Sequence, residues 1–240
     1  MLPTDPKDFL TGQVLLINKP LTWTSFDVVN KVRYQLKRLL NIKKIKVGHA
    51  GTLDPLATGL LILCTGKMTK QIDSFQGLPK TYTGKLLLGK TTPSFDAETE
   101  VDQTYPVDHI TPELLETARQ TFLGKIEQLP PIYSAIKMDG VPLYKLARAG
   151  KTRELKPRAV EITNFDVDAT DLPTIGFSVN CSKGTYIRSL AADFGKAVNS
   201  GAYLTELSRT KIGEFDLKDA WELDELIKQM AAIKSSEEEV

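Results

Sequence analysis

The chain has 240 residues, of which 41% are hydrophobic and 25% charged; that length and balance suit one large globular domain with a real core. Lys and Arg number 31 against 30 Asp and Glu, a formal net charge of +1, so no strongly polyanionic or polycationic class is indicated by the total. No stretch approaches the roughly 18 continuous apolar residues of a membrane span, and two cysteines with two histidines make neither a disulfide framework nor a metal set.

From the N-terminus, "MLPTDPKDFLTG" lacks the charged-then-apolar order of a signal peptide, so a reduced, cytoplasmic, metal-free chain is expected. "QVLLINKP" reads as a short strand ending at Pro20. "TSFDVVNKVRYQLKRLL" places Val28, Val29, Val32, Leu36 and Leu39 at helical spacing, with Thr24 or Ser25 as N-cap. Its outer face is basic, and "NIKKIK" continues that charge: between Asp27 and Asp54 there is no acidic residue. A near-neutral chain with such a block can still present a basic face to a polyanion, although charge runs are more often simply solvated.

"VGHAGTLDPLATG" then sets a problem. Asp is a good helix N-cap and Pro suits the first helical position, so Asp54–Pro55 could be a cap. But "LLILCTG" follows as a continuous apolar run, read as a buried strand, and the three glycines before it fit a loop better. Asp54 therefore stays open between a turn-former and a nucleophile, base or ligand, and His49 between a proton carrier, a phosphate donor and a plain loop hydrogen bond.

"KTYTGKLLLG" is a further strand carrying Tyr82, either a core ring or a ring that stacks on a base. Gly84 to Thr91 matches the P-loop pattern formally, but "KLLL" is stiff and Pro93 forbids the required helix, so nucleotide binding is rejected. Thr91 to Ala118 carries only acidic charge. "TPELLETARQTF" is a helix capped by Thr111 with Pro112 first. "QLPPIYSAIKMDG" cannot be one regular element, and "VPLYKLARAG" is a short helix; basic residues dominate from Lys137 to Arg158, including Arg153, against Asp139 and Glu154. "RAVEITNFDVDA" and "TIGFSVNCSKG" alternate as neighbouring strands, "TYIRSLAADFGKAVN" is a helix, "AYLTELSRTKIGEF" is strand-like, and "AWELDELIKQM" is a closing helix. Arg188, near Tyr186, is either a surface arginine or the partner of a buried carboxylate. The mixture without a βαβ rhythm indicates an α+β fold with a mixed, largely antiparallel sheet.

Six segments, "NKPLTWTSFDVVNKVR", "VGHAGTLDPLATGLLILCTGKMTK", "KTYTGKLLLG", "LPPIYSAIKMDGVPLYKLAR", "CSKGTYIRSLAADFG" and "AYLTELSRTKIGEF", resemble in order the bacterial tRNA pseudouridine synthase B family from Val14 to Phe215. The resemblance implies the pseudouridine synthase fold: a sheet flanked by helices with an RNA-binding cleft. It implies isomerisation of uridine 55 in the T-loop of tRNA, on a flipped-out base, by a cytoplasmic monomer with no cofactor, metal or obligate protein partner. By the same matching Asp54 is the nucleophile, Tyr82 stacks on the target base and is a candidate to help remove its proton, and Arg188 pairs with the nucleophile. His49 holds the flipped nucleotide or remodelled loop, Tyr186 and Leu207 wall the pocket, and Lys19 and Pro20 shape its floor.

Two departures stand out. Family members often carry "T-D-T-x-D-x-x-G" where this chain has "TTPSFDAETE", which keeps Asp96 but loses the first Asp and the Gly. Many relatives also end in a PUA-like domain, for which the acidic residues 216–240 are too few. A single catalytic domain is expected, with a thumb-like insertion at about 125–158 and a C-terminal helix and tail. RNA grip would then fall to the basic segments 31–46 and 137–158. The competing readings are an RNA-folding or RNA-binding factor with secondary or lost catalysis, and a synthase for other RNAs.

Overall fold

The computed structural model describes residues 2–134, 136–138, 140–151 and 155–237. They fall into two compact units: the described parts of Met1–Lys80 with Ser208–Val240, and Thr81–Leu207. The expected positions Asp139, Arg153, Glu154 and the last residues of the acidic tail lie outside the described residues.

In the first unit the strand Ala57–Thr65 is central. It pairs antiparallel with Val14–Lys19 in the register Ile17↔Leu61, and with Val47–His49. Trp221–Glu222 adds to the far side of Val14–Lys19 in parallel, and Phe215–Asp216 pairs with the end of Ala202–Ile212. The central strand is buried on both faces, which explains its unbroken apolar run. Leu61 and Leu63 enter a cluster with Leu15, Ile17, Val28, Val32, Leu36, Leu226 and Met230; Leu60, Ile62 and Cys64 enter a second with Ala50 and Ile212.

The first cluster is closed by two helices. Ser25–Leu39 begins in a reciprocal cap: Thr24 Oγ1 accepts from the Asp27 N–H, and the Asp27 carboxylate accepts from the Thr24 N–H. That satisfies donors every helix start leaves orphaned. Leu223–Glu237 packs its Leu223, Leu226 and Met230 into the same cluster. The short helix Asp8–Thr11 and the helical stretch Gly66–Gly77 were not expected from the sequence.

In the second unit Arg158–Asp171 pairs antiparallel with Thr174–Cys181 on one side and with Gly124–Gln128 on the other. Lys80–Leu88 and the first part of Ala202–Ile212 lie beyond Thr174–Cys181 in the strand order. The helices Pro112–Gln120, capped by Thr111 as expected, and Ile187–Ala197 flank this sheet. Phe165, at the centre of the core, meets Phe122, Phe177 and Phe194 edge-on at 5.6–6.4 Å between centroids. The segment expected as an insertion starts inside the sheet, as Gly124–Gln128, and continues as the small hairpin Lys137–Met138 with Val141–Pro142 and the helix Leu143–Arg148. Among the described residues no helix is long and apolar enough to cross a membrane, and no His, Cys, Asp and Glu cluster could hold a metal ion.

Candidate functional site

Asp54 of the first unit lies outside any helix, between the strands Val47–His49 and Ala57–Thr65. Its own carbonyl accepts from the Ala57 N–H at 3.1 Å, a tight turn rather than a helix start. The cap explanation therefore fails for lack of a helix to cap.

The loop around Asp54 is fixed from both sides. Ser25, at the start of the Ser25–Leu39 helix, accepts from the Leu53 N–H at 2.8 Å and donates to the Leu53 carbonyl at 3.2 Å. On the other flank, the Pro55 carbonyl accepts from the Thr22 N–H at 2.8 Å and from Lys19 Nζ at 3.4 Å. Lys19 also donates to the carbonyls of Pro20 and Trp23, at 2.9 and 2.6 Å. Period two along Val14–Lys19 puts Lys19 on the side of Leu15 and Ile17, and it is 0% exposed. Burial pushes its ammonium down to about 8, against the pull of the Asp54 carboxylate and with the push of Arg209. One buried cation thus ties Pro20, at the turn expected to floor the pocket, to the loop of Asp54.

Arg209 was not singled out by the sequence. It is 1% exposed; its Nε donates to the Leu60 carbonyl at 2.8 Å and its Nη2 to the Gly51 carbonyl at 3.1 Å. It therefore braces the loop between Gly51 and the central strand. Gly59 lets the Arg209 backbone come close: its φ is +104°, and a Cβ there would stand 2.5 Å from the Arg209 backbone nitrogen and against its backbone carbonyl oxygen. His49 stands at the end of Val47–His49, half-buried. Burial first, and then Arg209, lower its pKa, so the imidazole is neutral near pH 7. Within this unit Lys19, Pro20 and Asp54 come together, with Arg209 acting electrostatically on both Lys19 and His49.

In the second unit Arg188, in the first turn of Ile187–Ala197, is 4% exposed. Its Nη1 donates to the Ser94 carbonyl at 3.2 Å and its Nη2 to the Tyr133 carbonyl at 2.8 Å, while Nε stands 3.6 Å from the Asp96 carboxylate. Asp96, 5% exposed, also accepts from Ser94 Oγ at 2.6 Å and from the Glu98 N–H at 3.0 Å. The loop "TTPSFDAETE" thus keeps a carboxylate beside the arginine, and its own Ser94 binds that carboxylate. Glu98 of that loop also pairs with Arg148 of the short helix Leu143–Arg148.

Tyr186 precedes the same helix. Gln128 brackets its backbone, accepting from the Tyr186 N–H at 2.7 Å and donating to its carbonyl at 3.1 Å. Tyr82 is buried on Lys80–Leu88, and Leu207 is half-buried on Ala202–Ile212. Of the sequence-derived residues of this unit, Arg188 and Tyr186 share one helix start, while Tyr82 and Leu207 lie on strands.

Comparison with known proteins gives a consistent result. A family model described as "TruB family pseudouridylate synthase (N terminal domain)" matches residues 37–187, and one described as "tRNA pseudouridylate synthase B C-terminal domain" matches residues 188–240. The chain is 58% identical over 216 residues to the tRNA pseudouridine synthase B of Flavobacterium johnsoniae, covering 90% of this chain and 94% of that protein. It is 55% identical over 225 residues to that of Parabacteroides distasonis, covering 92% and 96%. Among solved structures, a chain of a Cbf5–Nop10–Gar1 complex aligns with a TM-score of 0.68 at 26% identity, over 95% of this chain and 56% of that one. A chain from an H/ACA RNP bound to a substrate RNA containing 2′-deoxyuridine aligns with a TM-score of 0.66 at 23% identity, a likeness of fold, over 92% and 54%. The chain therefore spans a little over half the length of those solved chains.

Proposed function

Because the chain belongs to the TruB family of pseudouridylate synthases, an enzyme family that isomerises uridine in tRNA, we propose that it converts uridine 55 of the tRNA T-loop to pseudouridine with Asp54 as nucleophile. The observation that carries this reading is the way the Asp54 loop is held. Ser25 grips Leu53, the buried Lys19 grips Pro55, and Arg209 grips Gly51, while no helix needs Asp54 as a cap. A carboxylate on a loop fixed at three points is pre-positioned for attack.

The reaction breaks the bond from uracil N1 to ribose C1′ and forms one from C5 to C1′. The C5 proton leaves to solvent and N1 takes one up, so no electrons are transferred. The target base must first leave its stack, at a cost of a few kcal/mol. Attack by a carboxylate, at uracil C6 or ribose C1′, frees the base to turn. Tyr82 is assigned the stacking surface for the uracil, Tyr186 and Leu207 the pocket walls, and Lys19 with Pro20 the floor. The neutral His49 suits a hydrogen bond to the flipped nucleotide. Arg188 is assigned the cation that the resemblance implies for the nucleophile, and Asp96 keeps its guanidinium oriented.

Release of tritium from C5-labelled uridine in a T-arm hairpin tests the reading. Wild type releases label with turnover, and Asp54→Asn releases none while binding the hairpin as tightly. Label release by Asp54→Asn at the wild-type rate would remove Asp54 from the chemistry. Tight binding with no release by wild type would favour an RNA-folding factor instead.

A further inference from the structure

The Ser25–Leu39 helix has an outer face that the proposed catalytic roles do not use. Its inner face, Val28, Val29, Val32, Leu36 and Leu39, is buried. On the outer face Phe26 is 59% and Tyr34 60% exposed, and Leu21 in the preceding turn is 54% exposed. Two large rings this open on one helix face form an aromatic surface that the core does not use.

Each ring carries its own guanidinium. Arg33 stands 5.9 Å from the Phe26 centroid and Arg38 5.8 Å from that of Tyr34. Arg33 is held there by bonds to Asn30 Oδ1 at 2.7 Å and to the Val47 carbonyl at 2.9 Å. Around these pairs lie Lys31 and Lys37, and beyond the helix Lys43, Lys44 and Lys46, with no carboxylate between Asp27 and Asp54. Asp27 itself is committed to the helix cap.

Composition separates the two classes of partner. The centre of a protein docking face is depleted in Lys and charge-poor. Here two arginines stand over the two rings, Lys31 and Lys37 share their helix, and three more lysines follow within the next seven residues, the pairing that grips nucleic acid: cations for phosphates, aromatic faces for unstacked bases. The face also has a place. Phe26 is the neighbour of Ser25, which holds Leu53 beside Asp54. From Phe26 the face runs twelve residues to Arg38, about 18 Å.

We propose that this helix face is a second RNA platform: unpaired nucleotides outside the target position stack on Phe26 and Tyr34, and their phosphates lie on Lys31, Lys37 and the lysines at 43–46. The inference rests on the reading that the chain acts on tRNA. The platform contributes affinity and leaves the bond-making step alone.

The test uses the full chain with an unmodified tRNA transcript, and compares Phe26→Ala/Tyr34→Ala with the ring-conserving Phe26→Tyr/Tyr34→Phe. Stacking of this kind predicts a roughly ten-fold or greater loss of tRNA affinity in the alanine pair. The ring-conserving pair stays near wild type. Thermal midpoints and the single-turnover rate at saturating tRNA are unchanged in both. Lys31→Glu/Lys37→Glu flattens the salt dependence of binding. A loss below about five-fold in the alanine pair, or a fall in the saturating rate with it, overturns the proposal. So does an equal loss in the ring-conserving pair. Unchanged tRNA affinity together with a change from an oligomer to a single chain would reassign the face to protein contact. Failure of wild type to release tritium defeats the catalytic reading alone, because tRNA affinity is measured separately.

Discussion

Lys19→Met offers a quantitative check on the environment of the Asp54 loop. Methionine keeps the length of the side chain and removes its charge. In the unfolded chain Lys19 titrates near 10.5; in the fold, burial holds it at about 8. Below pH 8 both states are protonated and the cost of burying the ammonium is present in full. Between about 8 and 10.5 the unfolded chain holds a proton that the folded chain has released, so stability rises with pH. A shift of this size is worth about 3 kcal/mol at 1.36 kcal/mol per pH unit. The variant has no such dependence. Unfolding free energies from urea titrations at pH 7 to 11 should give a wild-type-minus-variant difference that climbs by about 3 kcal/mol across the window. Taking the difference cancels the other lysines and tyrosines common to both proteins. A difference flat to within about 1 kcal/mol would refute the burial argument. It would mean that the carbonyls of Pro20, Trp23 and Pro55 replace water fully.

Three further outcomes follow from the same contacts. Gly59→Ala combines a positive φ with a Cβ placed against Arg209; a loss of about 3–5 kcal/mol in chemical denaturation is expected, and less than 1 would contradict the close approach. Arg209→Gln leaves a carbonyl of Leu60 or Gly51 without its donor, costing about 2–4 kcal/mol. By removing a neighbouring cation it also raises the Lys19 midpoint above about 8, read from the same alkaline difference curve. Asp96→Asn removes the buried charge beside Arg188, and single-turnover rates should fall more than ten-fold, about 1.4 kcal/mol in barrier. Affinity for the T-arm hairpin should hold, and a wild-type rate would dismiss Asp96 as the orienting group.

The sequence spells out those features whose causes lie close together along the chain. "TSFD" spells the cap of Ser25–Leu39, and "TPE" that of Pro112–Gln120. The continuous run at 60–64 belongs to a strand packed on both faces, although that strand starts earlier, at Ala57, because Gly59 at positive φ still pairs with Lys19. Helices as short as Asp8–Thr11 carry no periodicity to find. Arg209 escaped for a different reason. On Ala202–Ile212 the inward positions are Ala202 and Leu204, then Arg209 and Ile212, so the parity changes between Leu204 and Arg209 and again before Ile212. A period of two read from one end puts Arg209 on the outside. Its role depends on the carbonyls of Gly51 and Leu60, some 150 residues away, which no local pattern records. Lys19, by contrast, was reached through the resemblance, while the alternation of Val14–Lys19 also points it inward.

The chain enters the second unit after Lys80 and returns at Ser208. The first unit is therefore discontinuous, while the second is one uninterrupted stretch. During synthesis the whole stretch 81–207 is made before the returning segment of the first unit begins at Ser208. Arg209 follows at once, and the Trp221–Glu222 strand that pairs with Ile17 and Asn18 and the Leu223–Glu237 helix come later still. Until these are made the Gly51 carbonyl has no guanidinium and the Val28–Leu36 face has no lid. The candidate nucleophile is thus synthesised early and braced late. A growing chain therefore carries Asp54 without the Arg209 brace from the time residue 54 is made until residue 209 has joined it.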